Sequence, residues 1–389
     1  MSRVALLVEP GFLDRHVGVR NYLLSLHAHL TAAGHDAQLV SAVRPSGHVA
    51  NWSRLHLRDP RFARDNGISA DWAIRAPAAD VMARFAAGPP AGADDRPPDL
   101  WHSQIGTRLE AGRFDVLVVG SPWAVDFDDR LPVPRVVGLA YDAIPTRFCL
   151  TGPAKPFPFA AQHARGFRYY RERCDQTLAI SPAVADDLRE LFHFPAGGVA
   201  SLPPMVPPAC LRPAVAAERR PGAVLLASPL DRRKGLAQMP ALVGDSAGVL
   251  LLYGGVRCPP EDVPAFFAAL PPALPVEWHP RATAATTERL FREAELLLFP
   301  SASEGLGLPL IEAQLRGCPA AARPRRPMSD LLVAGSRTLP GDPGGDRAVV
   351  REMLADTGFD HAGLEVAARR FFDVDTLAGR VAAAVVGTA

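Results

Sequence analysis

The chain has almost no net charge: 42 Lys and Arg against 41 Asp and Glu leave a formal +1. No global field therefore draws it to nucleic acid or to a bulk membrane surface. Cysteine is scarce. The five present, Cys149, Cys174, Cys210, Cys258 and Cys318, are scattered and form no C-x-x-C pair. That argues against a zinc site or a disulfide framework and reads as buried free thiols in a reducing compartment. No apolar run is long enough to span a bilayer. The opening MSRVALLVEP lacks the layout of a secretory signal and enters a strand at once, so a cytoplasmic location is expected. No segment repeats at a fixed period, and proline, though abundant, is spread through the loops. At 389 residues the chain suits two domains rather than one.

What is present gathers around Glu295–Ala322, ELLLFPSASEGLGLPLIEAQLRGCPAAA. Leu296–Phe299, bounded by Pro300, is a short apolar run that reads as a buried strand. A turn of small residues follows, then Glu304 and Gly305-Leu306-Gly307. Pro309 suits the first turn of a helix, where an amide hydrogen is dispensable. Gly317 and Pro319 end that helix, and Ala320–Ala322 starts another strand. Glycines let a ligand approach the backbone closely, and a helix start favours an anion. A carboxylate beside phosphate would repel it, so at least one of Glu304 and Glu312 must face neutral donors such as sugar hydroxyls.

The run Glu304-Gly-Leu-Gly-Leu-Pro-Leu-Ile-Glu312-Ala, flanked by Phe299-Pro300-Ser301 and Gly317-Cys318-Pro319, resembles the paired-glutamate signature of glycosyltransferase family 4, retaining enzymes of the GT-B fold. The resemblance covers roughly residues 1–42 and 114–388. It implies an α/β protein with two Rossmann-like domains facing across a cleft. The acceptor domain would span 1–205, the nucleotide-sugar domain 206–370, and a C-terminal helix, 371–389, would cross back onto the first domain. It also implies that Glu304, Gly305, Leu306, Gly307, Leu308 and Glu312 line the donor site, with Glu304 near the reacting carbon and Glu312 on the ribose.

In the first half, Val4–Val8 reads as a strand. The loop Glu9–Val17 leads to Gly18, and a helix follows with Val19, Tyr22, Leu23, Leu26 and Leu30 on one face. That loop stands at the carboxyl edge of the sheet, where ligands bind in such folds. Gly18 matches the glycine loop that approaches the donor diphosphate and the acceptor; an ordinary turn glycine is the other reading. Residues 43–110 are the least family-like, show short helical patterns near Asp71–Phe85, and are assigned to acceptor recognition by analogy. Trp52, Trp72 and Trp101 could stack on a sugar, but packing is the plainer reading. Tyr141-Asp142-Ala143-Ile144-Pro145 resembles a His-Asp-x-Ile-Pro segment whose histidine lies close to the donor sugar; here Tyr141 replaces it. Asp142 is either a catalytic acid or a cap for the following turn. Ser181 caps a helix opened by Pro182.

Leu202–Pro208 reads as a stiff linker. Beyond it, the loop Ser228-Pro229-Leu230-Asp231-Arg232-Arg233-Lys234-Gly235 matches the family loop whose cations hold the diphosphate. Lys234 matches the lysine. The usual arginine position is Pro229, and Arg233 is the candidate substitute, as in a branch with an Arg-Lys-Asn version. Cations here would lower the barrier as the leaving diphosphate gains charge. Arg281 is a candidate near the nucleotide base, while Arg323, Arg325 and Arg326 read as a solvated face. No metal and no cofactor beyond the nucleotide-sugar co-substrate is expected. The resemblance implies hexosyl transfer (mannosyl, rhamnosyl or GlcNAc-like) to a saccharide, glycolipid or small-molecule acceptor, in bacterial polysaccharide or secondary-metabolite synthesis. No nucleic acid and at most peripheral membrane contact are expected. A pseudoenzyme that binds nucleotide-sugar without turning it over is the reading from another class, motivated by Tyr141 and Pro229.

Overall fold

The computed structural model describes residues 1–9, 17–43, 51–57, 71–89, 100–106, 113–125, 131–151, 158–211, 218–244 and 246–387. The chain divides into two compact units, each built on its own sheet.

The first unit comprises Met1–Pro60, Pro98–Pro208 and Phe372–Ala389. Its strands are β1 (Arg3–Val8), β2 (Asp36–Val43) and β3 (Asn51–Leu57), then, after a strand β4 (Trp72–Pro77) that joins the other sheet, β5 (Leu100–Gly106), β6 (Val116–Val119), β7 (Arg135–Ala140), β8 (Gln176–Ala179) and β9 (Val199–Ser201). Their order is β5-β3-β2-β1-β6-β7-β8-β9. The run from β2 to β9 is parallel, and β3 and β5 add antiparallel edges. The central strands are apolar throughout, LLV-type runs buried on both faces, because helices cover each side of a parallel sheet. The helix Val17–Ala32 buries Tyr22, Leu23, Leu26 and Leu30, the face that the 3.6-residue period predicts. Ser181 accepts a hydrogen bond from the Val184 amide at 3.2 Å and caps Pro182–Phe192 as expected. The last helix, Leu377–Val386, belongs to this unit, where Arg135 Nε donates to Val385 O at 3.0 Å. The expected terminal helix starts later, at Leu377 rather than at 371. His361–Phe371 ends at the unit boundary, and the left-handed Asp373 (φ 51°) separates it from the last.

The second unit holds Ala209–Phe371 and Arg61–Pro97. Its strands are β10 (Ala223–Ala227), β11 (Val249–Tyr253), β12 (Pro275–Arg281), β13 (Leu296–Phe299), β14 (Ala320–Ala322) and β15 (Arg337–Thr338), ordered β15-β14-β13-β10-β11-β12-β4. All neighbours are parallel except β12 and β4. This corrects the sequence reading, which kept 43–110 in the first domain and saw helical patterns at 71–85. Trp72–Pro77 is a strand of the second sheet, followed by the short helix Val81–Ala86. Packing decides it. Trp72 stacks on Phe85 (ring centroids 5.2 Å, 10°), and Phe85 on the fully buried Trp278 of β12 (4.8 Å, 21°). Trp72 is thus a packing residue of the second unit. Trp52 is buried at 8% exposure in the first, and the Trp101 side chain lies outside the described residues.

Candidate functional site

In the second sheet β10 connects outward to β11 on one side, while β13 flanks it on the other. That is a topological switch point, where the loops leaving two adjacent parallel strands diverge and leave room for a ligand. The loop after β10 carries Arg233 and Lys234; the loop after β13 carries Glu304. The structure brings these three together.

The local chemistry explains how. Asp231 is extended, and its carboxylate accepts from the Arg233 amide at 2.8 Å, starting a tight turn over Arg232–Lys234. Gly235 closes that turn at φ +82°. A Cβ at this position would lie 2.7 Å from Pro300 O, so glycine lets the two loops touch. The Ala302 amide donates to Arg233 O at 2.8 Å. Arg233 Nη1 donates to Ser303 O and stands 3.4 Å from Glu304 Oε2. Lys234 Nζ pairs directly with Glu304 Oε1 and lies 5.4 Å from the Phe299 ring centroid, within cation–π range. The side chains of Glu304, Lys234 and Arg233 are only 10%, 15% and 22% exposed.

Burial pushes the Lys234 ammonium down, and the Glu304 charge opposes this. Burial also pushes the Glu304 carboxyl up, but the Lys234 and Arg233 charges overcome it and hold it below the usual carboxylate value. Two cations thus share one carboxylate. The excess positive charge sits in a largely dry corner, where an anion is worth far more than in water.

Glu312 occupies different surroundings. It is the fifth residue of Leu308–Gln314. Gly307 precedes that helix at φ +103° with no side-chain cap. Burial raises the Glu312 carboxyl; Arg316 opposes and Glu288 reinforces the rise. Arg316 spends its donors elsewhere: on Glu288 Oε2 at 2.5 Å, Cys210 Sγ at 2.9 Å and Glu312's own backbone carbonyl at 3.0 Å. Among the described residues none hydrogen-bonds the Glu312 carboxylate. The half-buried carboxylate is thus open to hydroxyl donors from outside.

The remaining expected site residues fall as follows. Leu306 is 4% exposed and its side chain belongs to the core, so of that residue only backbone could meet a ligand. Gly305 and Leu308 are half-buried beside Glu304. Arg281 ends β12 in register with Trp72. Gly18 lies inside the first turn of Val17–Ala32, not in the preceding loop, and a Cβ there would meet nothing within 4 Å; the fold's own packing does not call for glycine. Asp142 Oδ1 accepts from the Ile144 amide at 2.9 Å and so caps the helix that follows. Tyr141 is 8% exposed, with its hydroxyl buried and unpartnered. Sequence reasoning missed Asp231 as the organiser of the cation turn, although an Asp directly before a basic run ended by glycine is a capping pattern. Arg325, read as part of a solvated face, is exposed and donates from Nη1 to Ala302 O at 3.3 Å. No helix among the described residues is long and apolar enough to cross a membrane.

No family model matches the chain, and no curated protein matches it by sequence. Solved structures do. The Anabaena protein Alr3699/HepE, crystallised with UDP and glucose, superposes with a TM-score of 0.65 at 13% identity over 100% of both chains. WaaG, a glycosyltransferase involved in lipopolysaccharide biosynthesis, gives 0.59 at 14% identity over 99% of this chain and 100% of its own. AviGT4, a glycosyltransferase involved in avilamycin A biosynthesis, gives 0.58 at 14% identity over 100% and 99%. The likeness shows the fold: two Rossmann-like α/β domains of the GT-B type.

Proposed function

We propose that the protein is a glycosyltransferase that moves a hexosyl group from a nucleoside-diphosphate sugar to an acceptor hydroxyl, with retention at the anomeric carbon. The observation that carries this reading is the buried Lys234–Glu304–Arg233 cluster at the switch point of the second sheet. In the reaction the bond from the anomeric carbon to the diphosphate oxygen breaks and its electron pair stays on the diphosphate. The acceptor oxygen forms the new bond and gives its proton to the departing diphosphate oxygen. Lys234 and Arg233 balance the charge that grows on the leaving group, Glu304 holds Lys234 in place and contacts the sugar, and Glu312 accepts from the ribose hydroxyls. The UDP in HepE makes UDP-sugars the first donors to test; mannosyl, rhamnosyl and GlcNAc-like groups are the proposed range. WaaG supports a saccharide or glycolipid acceptor in bacterial polysaccharide synthesis, and AviGT4 a secondary-metabolite acceptor. A cytoplasmic location fits either.

The glutamates separate by measurement. Glu312→Ala is expected to weaken UDP and UDP-sugar alike by about 1–3 kcal/mol, the scale of lost charged hydrogen bonds. Glu304→Gln should leave bare UDP binding nearly intact and lower turnover. Calorimetry beside steady-state kinetics reads both; if Glu304→Gln abolishes UDP binding while Glu312→Ala does not, the two roles are reversed. The Tyr141 substitution favours a second reading, a binding protein without turnover. Failure to consume any of a panel of nucleotide-sugars that it demonstrably binds would select it.

Metal independence is part of the proposal, because lysine and arginine already provide the charge that a divalent cation would bring. Activity is expected to survive EDTA unchanged. Turnover lost on chelation and restored by magnesium or manganese would overturn that part.

A further inference from the structure

The helix Leu308–Gln314 tightens as it ends. The Leu315 amide still reaches Ile311 O at 3.0 Å, but the Arg316 amide donates to Ala313 O at 2.9 Å and passes over Glu312 O. An α-helix would have paired that carbonyl with the Arg316 amide. The Arg316 side chain fills the gap instead, with Nη1 donating to Glu312 O at 3.0 Å.

The same guanidinium is 3% exposed. Its Nε donates to Glu288 Oε2 at 2.5 Å, on the helix Ala284–Glu293, and its Nη1 lies 2.9 Å from Cys210 Sγ, just past the linker. Its carbon stands 5.1 Å from the Phe291 ring centroid. Arg292 Nε holds the other oxygen of Glu288 at 2.6 Å. From the helix His361–Phe371, Arg369 turns to the Cys210 and Leu211 carbonyls at 3.4 Å and to Glu365 at 3.8 Å. The strands β13 and β14 beneath are wholly apolar. Tyr253, at the end of β11, and Cys210 complete the surroundings of Glu312, and burial keeps both uncharged. The charges that act on the Glu312 carboxyl are therefore Arg316, which lowers it, and Glu288, which raises it. A buried ion pair is often no more stable than an apolar filling of the same volume, so this one is better explained by what it does for Glu312.

We infer that Arg316 is a positioning residue of the donor site: it fixes the backbone that carries Glu312 and supplies the counter-charge for the Glu312 carboxylate, without touching the nucleotide itself. That Glu312 meets the nucleotide rests on the proposed function; that Arg316 supports Glu312 does not. Arg316 and Glu288 act on Glu312 with opposite sign. Without the Arg316 charge, the rise that burial imposes on Glu312 is unopposed, and the carboxyl takes up its proton at higher pH. Without the Glu288 charge, part of that rise is gone, and it does so at lower pH. A protonated carboxyl is the weaker acceptor for ribose hydroxyls, so nucleotide affinity should fall on the acid side, at a pH that the two changes move in opposite directions.

Two measurements on the full chain test this. Carbon NMR of glutamate-labelled protein follows the Glu312 carboxyl, identified as the signal missing from Glu312→Gln. Titration calorimetry follows UDP-glucose, whose diphosphate stays ionised across the range. Arg316→Met should move both the carboxyl titration and the acid-side fall in affinity to higher pH, and Glu288→Gln should move both to lower pH. In mild acid Arg316→Met should bind UDP-glucose about tenfold more weakly than the wild type, the equivalent of about one pH unit. Glu288→Gln keeps the shape and an acceptor oxygen, so its downward shift is readable even if Arg316→Met fails to fold. A merely structural Arg316 would leave the carboxyl titration where it is. Titrations that do not move, or that move the same way in both variants, overturn the proposal and leave the transferase reading standing. Opposite shifts in the NMR titrations with no change in UDP-glucose affinity take Glu312 off the nucleotide, and overturn the donor-site role of both residues.

Discussion

Lys234→Ala is expected to lower kcat/KM for sugar transfer by about a hundredfold, or roughly 3 kcal/mol of transition-state stabilisation. It should also weaken UDP binding. The magnitude follows from place. The ammonium is 15% exposed beside an equally buried carboxylate, so its field is poorly screened by water and acts where the leaving diphosphate gains charge. Arg233 remains in the variant but reaches Glu304 only at 3.4 Å and is tied to Ser303 O, so it cannot take over the vacated position. Without the lysine, the Glu304 carboxyl loses the larger of the two charges that hold it down, and it should titrate nearer the usual range. The pH–rate profile of Lys234→Ala should therefore show its acid limb moved to higher pH. Lys234→Arg is expected to rescue little, because a planar fork does not match a point contact behind Phe299. A loss of less than about threefold in kcat/KM, with UDP binding unchanged, would remove Lys234 from the diphosphate and with it the main support for the transferase reading.

Much of this site was legible because its signals are local. A four-residue apolar run, a glycine turn and a proline-opened helix define β13 and the segment after it. Central strands such as β1 and β10 stand out as uninterrupted apolar runs. Lys234 and Glu304 were named separately, but their direct pairing was not foreseen, because it depends on how closely Gly235 lets one loop approach Pro300. The inserted strand β4 was misread for a related reason. Trp72, Ile74 and Ala76 face inward in alternation, but over six residues, with alanine and proline among the outward ones, that alternation is too short and too weakly contrasted to stand out. Its partners lie some two hundred residues away in sequence, as with Arg75 and Glu277. Gly18 was placed in a loop because nothing in the sequence marks the helix as starting at Val17.

Glu277→Ala should be strongly destabilising although Glu277 lies outside the donor site. Glu277 stands opposite Arg75 across the β12–β4 pair, and its side chain is only 6% exposed. It accepts from Arg75 at 3.1 Å, Arg220 at 3.0 Å and Arg289 at 2.6 Å, and lies 2.9 Å from the buried His279 ring nitrogen. Removing it leaves three guanidiniums facing one another, frees the edge strand β4, and strips His279 of its partner. Breaking such a buried pair costs about 3–5 kcal/mol. The arginines are 64%, 41% and 34% exposed and can turn to water, so the low end, about 3 kcal/mol, is expected. For a unit of this size that lowers Tm by about 6–12 °C. Arg75→Ala should cost under about 1 kcal/mol, because Glu277 keeps its other partners. Acid provides the discriminating measurement. Burial pushes the Glu277 carboxyl up, but His279, Arg289 and Arg75 together hold it far below its ordinary 4.5. Its contribution is therefore fully present above pH 4.5 and is lost as pH falls from there through the lowered folded value. Melting curves of the wild type and Glu277→Gln should differ by a constant gap at neutral pH, and that gap should narrow steadily below pH 4.5. A gap that is absent at neutral pH, or that stays the same width in acid, would mean the charge on Glu277 does not hold β4 to its sheet.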